Sequence, residues 1–272
     1  HDGASVNISD DRKNTACNVT SDNCTVFIDF NENEMKLWNI SDPEQVSLLG
    51  TGSYTDVASS FQYVHSGWTS EDNNFIFLHD EFDEKKAGIN STVRVFSIDD
   101  LNNPQHIGQW TGPTRAADHN GFTRGNRYYM SNYERGLTIL DITDPTDPVD
   151  VGFFDTYTPS NNANYNGAWG AYPFLPSGNI LVSDINGGLY ILKDNTRISP
   201  QGSIGFSTPA ITTASNTELS ITVKRSATNG SDNDEFAGTA VSLHYETLNG
   251  SADEESDYQA VSGTLTWQEN DH

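Results

Sequence analysis

The chain has 272 residues, of which 14 are Lys or Arg and 38 are Asp or Glu, giving a formal net charge of −24 at pH 7. This length suits one large β domain or two ordinary ones, and the acidic excess argues against nucleic acids and anionic membranes as partners, since both attract basic surfaces. No run of about 18 apolar residues occurs, so the sequence predicts no transmembrane segment.

Residues 1–24 are predicted to form an N-terminal segment, which begins HDGAS without a Met or an apolar leader. Such a start is typical of a mature or excised segment that has lost its targeting peptide. The two cysteines of the chain, Cys17 and Cys24, are close enough for a small disulfide loop in an oxidising compartment, although a free pair is the alternative. We therefore expect a secreted, extracellular or cell-surface protein.

Residues 25–198 contain a repeat of short β-branched and aromatic runs, which predicts an all-β fold. Alternating strands begin at Met35, Val93, Leu137 and Leu189, with spacings of 58, 44 and 52 residues. A further strand precedes each of them and completes a hairpin. This spacing is typical of β-propeller blades, and about four blades are visible.

A third recurring element begins HSGW at His65, HNGF at His119 and YNGAW at Tyr165. We interpret these stretches as the innermost strands of successive blades, with Gly67, Gly121 and Gly167 where backbones crowd near the axis. The first unit has no clear inner strand and the fourth lacks an outer one. We therefore expect an incomplete ring, with irregular closure by the termini or further blades encoded upstream. The polar residues of these stretches are expected at the channel mouth: His65, His119, Asn120 and Asn166.

After Arg197 the composition of the sequence changes, and the run ISPQGSIGFSTPA is typical of a linker rich in Pro, Gly and Ser. We place a domain boundary near Pro200, so that residues 199–272 form a second β domain. The strands predicted in this part lack the D-P turn of the earlier repeats.

Several blocks of the first part, HSGWTSED, HDEFDE, DHNGF and SNYERGLTILDITDPTDPVDVGFFDTY, together resemble a known family. They look like the LVIVD-repeat β-propeller of the bacterial secreted proteins called choice-of-anchor B, over roughly residues 25 to 195. That family is defined by its sequence and by varied surface-anchoring tails, and it brings no established reaction. The resemblance implies a bacterial protein that is attached to the cell surface through a tail.

Residues 203–272 resemble a Calx-beta domain, an immunoglobulin-like β-sandwich. The matching runs are IGF at Ile204, ITVKR at Ile221, Tyr245 to Ala252, and GTLTW at Gly263. In calcium-binding members, acidic loops at one end of the sandwich hold the ion. Here TTASN replaces the acidic residue usual between the first strands, and the chain stops at WQENDH, so we expect the native domain to continue. The resemblance implies that Asp257 binds calcium. Asp253, Glu254 and Glu255 of the same acidic loop are further candidate ligands by residue type.

The stretch FLHDEFDEKK, Phe77 to Lys86, supports three interpretations. The first is a solvated acidic loop that contacts Lys85 and Lys86. The second is a catalytic pair of carboxylates, which spacing alone cannot identify among 38 acidic residues. The third is part of a metal site, for which a structural polar network that holds the inner strands in register is the competing account. Two histidines with carboxylates suit zinc, manganese or iron better than calcium. The residues expected to converge at the propeller mouth, where they would bind such a transition metal, are His65, Asp80, Glu81, Asp118 and His119.

Two functions remain open from the sequence. The first is a secreted surface interaction or adhesion protein with a possible calcium-binding domain and a protein or carbohydrate partner. Trp68, Trp169 and Tyr172 could stack on a sugar or belong to the core between blades. The second is a metal-dependent hydrolase, perhaps lactonase-like, with its site at the channel mouth. No catalytic motif occurs, so we assign no catalytic residue and favour a non-enzyme.

Overall fold

The computed structural model of the chain describes residues 2–19, 21–196, 203–208, 218–226, 241–249, 252, 254 and 256–267. The chain divides into two compact units, His1–Asp194 and Asn195–His272. Pro200, near which the sequence predicts a domain boundary, lies outside the described residues. The described elements are almost all strands, which confirms the all-β class. No helix among these residues is long and apolar enough to cross a membrane.

The first unit consists of antiparallel sheets that follow one another along the chain, as the blades of a β-propeller do. The first sheet contains β1 (Asp2–Ile8), β2 (Cys24–Phe30), β3 (Met35–Asn39) and β4 (Ser47–Gly52). The second contains β5 (Val64–Thr69), β6 (Phe75–Asp80), β7 (Thr92–Ser97) and β8 (Gln105–Thr111). The third contains β9 (Asn120–Arg124), β10 (Arg127–Asn132), β11 (Gly136–Asp141) and β12 (Val149–Phe154). The fourth has three described strands, β13 (Ala168–Tyr172), β14 (Asn179–Asp184) and β15 (Gly188–Lys193), and the described residues contain no outer strand for it.

The first sheet also has the inner strand that the sequence analysis did not find. Strand β1 pairs with β2 from Asp2↔Phe30 to Ile8↔Cys24, so the N-terminal segment is part of the first blade. The prediction of a separate segment over residues 1–24 missed this for two reasons. The strand DGASVNI begins with small residues of weak β propensity. In addition, the residues between Ile8 and Cys24 separate it from its partner, so no short hairpin marks it.

Three apolar cores lie between successive sheets and account for the pattern of burial. Ile76 on β6 packs toward the first sheet, whereas the next residue, Phe77, packs toward the third. In the same way, Tyr128 on β10 packs toward the second sheet and Tyr129 toward the fourth. Because side chains alternate along a strand, a sheet between two neighbours must be apolar on both faces. Each fully buried Ile or Phe contributes roughly 1.5–3 kcal/mol to this packing.

Backbone bridges join two pairs of neighbouring sheets. Glu32, in the turn after β2, exchanges both backbone hydrogen bonds with Val64 of β5 at 2.9 Å. Tyr133, in the turn after β10, accepts a hydrogen bond at 2.9 Å from the backbone N–H of Ala168 on β13. Both turn residues have a positive φ, 73° for Glu32 and 28° for Tyr133. Gly167 also has a positive φ, 82°, and a Cβ there would collide with the Tyr133 carbonyl, so this position requires glycine.

A disulfide closes part of the connection between β1 and β2, and this connection is called the disulfide-closed excursion. Cys17 and Cys24 are bonded, which confirms the pair predicted from the sequence, and a π-helical turn over Lys13–Cys17 leads into it. Just before this turn, Arg12 donates hydrogen bonds to the carbonyls of Asn73 and Ile98, at 2.9 and 3.0 Å. Both acceptors belong to the second sheet's loops, so the disulfide-closed excursion reaches the neighbouring blade.

The described part of the second unit forms two antiparallel sheets of two strands each. Strands β16 (Ser203–Phe206) and β17 (Val223–Ser226) form one, and β18 (Val241–Glu246) and β19 (Ser262–Trp267) form the other. The pairing of β18 with β19 runs from Val241↔Trp267 to Glu246↔Ser262 without a bulge. The Calx-beta sandwich itself stays a prediction.

Candidate functional site

His65, Glu81 and His119 come together between the second and third sheets. One ligand atom from each lies within 4.8 Å of the others. Among the described residues, no other group of three or more His, Cys, Asp or Glu side chains is close enough together to hold one metal ion. The distance from His65 Nδ1 to Glu81 Oε2 is 3.8 Å. The sequence therefore named three residues that do converge.

A β-bulge directs His65 toward the other two residues. Val64 pairs with Asp80 and Ser66 pairs with His79, so the register shifts at His65, which is the extra residue of the bulge. Bulges redirect single side chains and occur often beside functional sites. The fourth sheet has a bulge at the corresponding place, where Trp169 lies between the paired residues Ala168 and Gly170.

The bulge at Trp169 fixes the orientation of His119. His119 Nδ1 lies 2.5 Å from the backbone carbonyl of Trp169, which can only accept a hydrogen bond. Nδ1 also lies 3.0 Å from the side-chain Nδ2 of Asn120. In the tautomer with the proton on Nδ1, this proton is donated to the Trp169 carbonyl and Nε2 keeps its lone pair. A ring nitrogen bonded to a backbone carbonyl is the usual support for a histidine that binds a metal through its other nitrogen.

Glu81 is held by a tyrosine from the third sheet. The Tyr133 hydroxyl donates a 2.6 Å hydrogen bond to Glu81 Oε1, which leaves Oε2 on the side of His65. Burial raises the pKa of Glu81, and the hydrogen bond from Tyr133 acts in the opposite direction. Burial and this same carboxylate raise the pKa of Tyr133, so the hydroxyl keeps its proton at neutral pH.

Both histidines of the group are neutral at physiological pH. Burial, followed by the neighbouring His119, lowers the pKa of His65 to about 3. Burial also lowers the pKa of His119, against the effect of its bond to the Trp169 carbonyl. Neutral imidazole is the form that binds metals, so no proton has to be displaced before binding.

Aromatic side chains surround the three residues. His119 packs on Trp169 with ring centroids 4.5 Å apart, and Tyr133 packs on Tyr165 at 5.0 Å. On the other side, Tyr63 stacks on Phe82 at 4.2 Å. Trp169 is 51% exposed, so the wall opens to solvent beside His119.

Asp80 and Asp118 do not belong to this group, which corrects the five-residue prediction. Asp80 accepts hydrogen bonds from the Tyr54 hydroxyl and from the backbone N–H groups of Tyr63 and Phe82. Asp118 lies 3.2 Å from His79 Nδ1 and is fully buried. The reason is alternation, since Asp80 precedes Glu81 and Asp118 precedes His119, and neighbouring side chains on an extended chain point apart.

The solvated-loop interpretation of HDEFDEKK is also wrong. Asp80, Asp83 and Glu84 are all completely buried. Glu81 to Asn90 form an insertion that contains a π-helical turn at Asp83–Ala87, and this turn folds the carboxylates inward. Lys85 and Lys86 do not pair with them; their ammonium groups lie over the rings of Tyr165 and Phe82, at 4.2 and 4.1 Å.

The calcium loop predicted in the second unit is described only in part. Asp253 and Glu255 lie outside the described residues. Glu254 and Asp257 are exposed, and the backbone N–H of Glu254 donates to the side chain of Asn249 at 3.1 Å. Calcium binding in this loop stays a prediction.

The aromatic residues named from the sequence have different environments. Trp68 is partly buried and packs against Phe122 at 4.9 Å, as expected of a core residue between blades. Trp169 and Tyr172 are 51% and 49% exposed.

Sequence reasoning missed Tyr133 and the role of the Trp169 carbonyl. Tyr133 follows strand β10 in the turn NYERG, at the place that Glu81 occupies after β6. The alignment of these two strand ends was visible in the sequence and could have paired them. The Trp169 carbonyl could not have been found, because a bulge leaves no signature in residue type.

A groove of about 590 Å³ lies on the first sheet. It contains none of the residues singled out from the sequence. Its lining is Asp2, Gly3, Phe27, Asp29, Phe30, Asn31 and Glu32.

No family model matches the chain, and no curated protein matches it. The resemblances to choice-of-anchor B proteins and to Calx-beta domains therefore stay predictions. The solved structures to which the chain is similar are β-propellers. The β-propeller domain of Myceliophteria thermophila Cps50 (Swd1) is 12% identical, with a TM-score of 0.46, over 63% of this chain and 49% of that one.

A Lactobacillus plantarum protein is 13% identical, with a TM-score of 0.47, over 62% of this chain and 53% of that one. The periplasmic gluconolactonase PpgL of Pseudomonas aeruginosa is 12% identical, with a TM-score of 0.44, over 68% of this chain and 57% of that one. The chain thus spans about half the length of the solved structures it matches. At these identities the likeness concerns the fold alone.

Proposed function

We propose that the propeller unit binds a divalent transition metal ion through His65, Glu81 and His119 and uses it to hydrolyse a small ester or lactone. The observation that carries the proposal is the convergence of two neutral imidazoles and one carboxylate within 4.8 Å. Two histidines and one glutamate form a known ligand set of catalytic zinc, which keeps a further position open. Non-haem iron uses the same types of ligand.

The residues fit such an ion after a small contraction. Tetrahedral ligands at roughly 2.0–2.1 Å from zinc are about 3.3 Å apart. The 3.8 Å separation of His65 Nδ1 and Glu81 Oε2 is close to this value. The ligand atoms therefore need to move by about an ångström or less, which side-chain rotation can provide.

Each residue has a defined part in the proposed chemistry. A bound metal ion supplies Lewis acidity and lowers the pKa of water. His119 is oriented by the Trp169 carbonyl, and Tyr133 holds Glu81 while its own hydroxyl keeps its proton. The half-exposed ring of Trp169 borders the opening through which a substrate enters.

The proposal is tested by measuring the metal content of the purified chain by elemental analysis, after incubation with zinc, manganese or iron(II) and removal of excess ion. We expect one equivalent in the wild type and none in His65→Ala or His119→Ala. His244→Ala is the matched control, because His244 is exposed on β18 of the second unit. A folded wild-type protein that retains none of these ions contradicts the proposal.

The metal-loaded and chelated proteins are then compared on aryl esters and lactones. We expect hydrolysis only in the loaded form, and its absence from both forms would limit the proposal to metal binding. The exposed rings of Trp169 and Tyr172 support a second candidate, a carbohydrate- or protein-binding surface. Binding of such a partner by the metal-free protein would favour that candidate.

A further inference from the structure

Two exposed lysines lie on the aromatic rings that surround the His65, Glu81 and His119 group. The Lys85 ammonium is 4.2 Å from the centre of the Tyr165 ring, and the Lys86 ammonium is 4.1 Å from that of Phe82. Among the residues that the structure describes, neither ammonium has a carboxylate within salt-bridge distance. A ring holds an ammonium by cation–π attraction but has no net charge to neutralise it. Both positive charges are therefore available to a ligand.

A continuous series of contacts connects Lys85 to the group of three residues. The ring of Tyr165, on which Lys85 lies, packs on Tyr133 with centroids 5.0 Å apart. Tyr133 in turn packs against His119 at 5.3 Å and donates its 2.6 Å hydrogen bond to Glu81. Two aromatic side chains thus link the ammonium of Lys85 to the proposed ligands.

Lys86 is connected to the same group through His65. The ring of Phe82, on which Lys86 lies, stacks on Tyr63 at 4.2 Å. Tyr63 stacks on His65 at 6.0 Å. The site therefore has two positively charged residues at its aromatic border, one reached from His119 and the other from His65.

The hydroxyl of Tyr165 is a hydrogen-bond donor that the protein itself does not use. Its oxygen is buried and has no hydrogen-bond partner among the described residues. Burial, followed by the charges of Glu81 and Glu84, raises the pKa of Tyr165 to about 12, so the hydroxyl keeps its proton. A ligand with an acceptor oxygen would satisfy this donor.

The turn that carries the lysines is unusually basic for this chain. Arg115 donates to the backbone carbonyl of Glu84, the residue before Lys85, and adds a third positive charge. The whole chain has only 14 Lys and Arg against 38 Asp and Glu, so most of its surface repels anions. A local excess of positive charge beside the site is where an anion would approach.

We propose that the site selects an organic anion, with a planar apolar body that packs on the aromatic rings and a carboxylate that meets Lys85 and Lys86. This inference rests on the proposed function for the location of the ligand, and it narrows the substrate to carboxylate-bearing aryl esters or lactones. The ammonium groups supply charge and hydrogen-bond donors, and the rings supply apolar contact.

The test measures the binding of benzoate and benzamide to the full chain, from which metal has been removed by chelation and the chelator by gel filtration. The two probes have nearly the same shape, but only benzoate is charged. Metal-free protein is used because a bound metal ion would itself attract the carboxylate. We expect the wild type to bind benzoate roughly two- to fivefold more tightly, the range for a partly exposed ion pair. Isothermal calorimetry gives both dissociation constants.

The decisive variant is Lys85→Met/Lys86→Met, which keeps an unbranched side chain over each ring and removes both charges. We expect it to bind the two probes equally. Lys36→Met is the matched control, because Lys36 pairs with Glu34 on the first sheet, and it should keep the preference. The inference is overturned if the wild type does not prefer benzoate, or if the folded double variant retains the preference.

A kinetic comparison separates this inference from the proposed function. Failure to bind metal or to hydrolyse esters contradicts the proposed function but leaves a preference for benzoate in place. If the metal-loaded protein hydrolyses 4-acetoxybenzoate and 4-acetoxybenzamide, we expect the ratio of their kcat/KM values to fall by the same two- to fivefold in the double variant. Hydrolysis with an unchanged ratio keeps the proposed function and overturns the selection of an anion.

Discussion

Arg94 shows how single residues balance charge inside this acidic protein. Its side chain is completely buried on β7 and contacts Asp56 at 2.6 Å and Asp83 at 2.7 Å. The guanidinium also lies 4.0 Å above the ring of Tyr54. One cation thus serves two carboxylates, and the planar, forked guanidinium suits this arrangement better than an ammonium group does.

Replacing Arg94 tests this arrangement at the level of one side chain. We expect Arg94→Ala to lower the free energy of unfolding by roughly 3–5 kcal/mol, because it leaves the buried carboxylate of Asp83 without a counter-charge. Chemical denaturation followed by tryptophan fluorescence gives this quantity.

The control for Arg94→Ala is Lys36→Ala, which removes the salt bridge from Lys36 to Glu34 at 2.7 Å on the surface. We expect little measurable change there, because water already solvates both partners. Equal losses in the two variants would mean that the buried pair has no special importance.

The environment of Asp83 and Glu84 could not have been predicted from FLHDEFDEKK. A run of charges usually faces water, and the partners that reverse this expectation are distant in sequence. Arg94 lies 11 positions after Asp83 and 38 positions after Asp56. By contrast, His65, Glu81 and His119 could be predicted, because the repeat places His65 and His119 at equivalent positions of two inner-strand motifs and Glu81 at the end of the strand beside them.

At the scale of elements, the turn after β10 organises the long loop that follows β12. Glu134, in this turn, accepts hydrogen bonds from the Ser160 hydroxyl at 2.7 Å and from the backbone N–H of Asn162 at 2.8 Å. Its other oxygen accepts from the side-chain amides of Asn164 and Asn166, at 3.2 and 2.9 Å. The loop carries Tyr165, so Glu134 also positions the aromatic wall of the candidate site.

We expect Glu134→Gln to loosen this loop and to cost about 2 kcal/mol, in the range for hydrogen bonds to a charged group. Faster hydrogen exchange at the Asn162 amide is the direct measurement. Glu44→Gln serves as the exposed control, and unchanged exchange in Glu134→Gln would contradict the assignment.

The same contact predicts a dependence on pH. Burial acts to raise the pKa of Glu134, but the hydrogen bonds from Asn166, Ser160, Asn162 and Asn164 outweigh it, so the pKa is lowered from 4.5. A lowered pKa in the folded state stabilises the protein above the unfolded value, and this stabilisation is lost as the pH falls through the folded value. The difference in stability between the wild type and Glu134→Gln should therefore shrink below about pH 4.

Most strands were predictable because the alternating and apolar runs have the length of a blade strand. The bulges at His65 and Trp169 were not, because a bulge depends on the register between two strands and not on residue type. Strand β1 was missed because of its small residues and its distance in sequence from β2.

At the scale of the whole propeller unit, the disulfide between Cys17 and Cys24 is a covalent constraint. Reduction of the disulfide removes a constraint on the unfolded chain and so increases its conformational entropy. The loop-entropy relation predicts that the free energy of unfolding falls by about 2.5 kcal/mol. We expect a dithiol reductant to lower the unfolding temperature of the wild type. The same reductant should leave Cys17→Ser/Cys24→Ser unaffected, and equal shifts in both would show that the reductant acts elsewhere.

The two backbone bridges between sheets have a mechanical consequence. They join the first sheet to the second and the third to the fourth; within the described residues, the second and third sheets have no such bridge. That joint is held by its apolar core and by side-chain hydrogen bonds, such as those from Ser66 to the His119 carbonyl and from Thr123 to the Thr69 carbonyl. Side chains, and not backbone bridges, therefore hold the second sheet against the third in the described residues. His65 lies in the second sheet, Glu81 directly follows its strand β6 and His119 leads into the third, so a metal ion bound by all three would add a direct link across this joint.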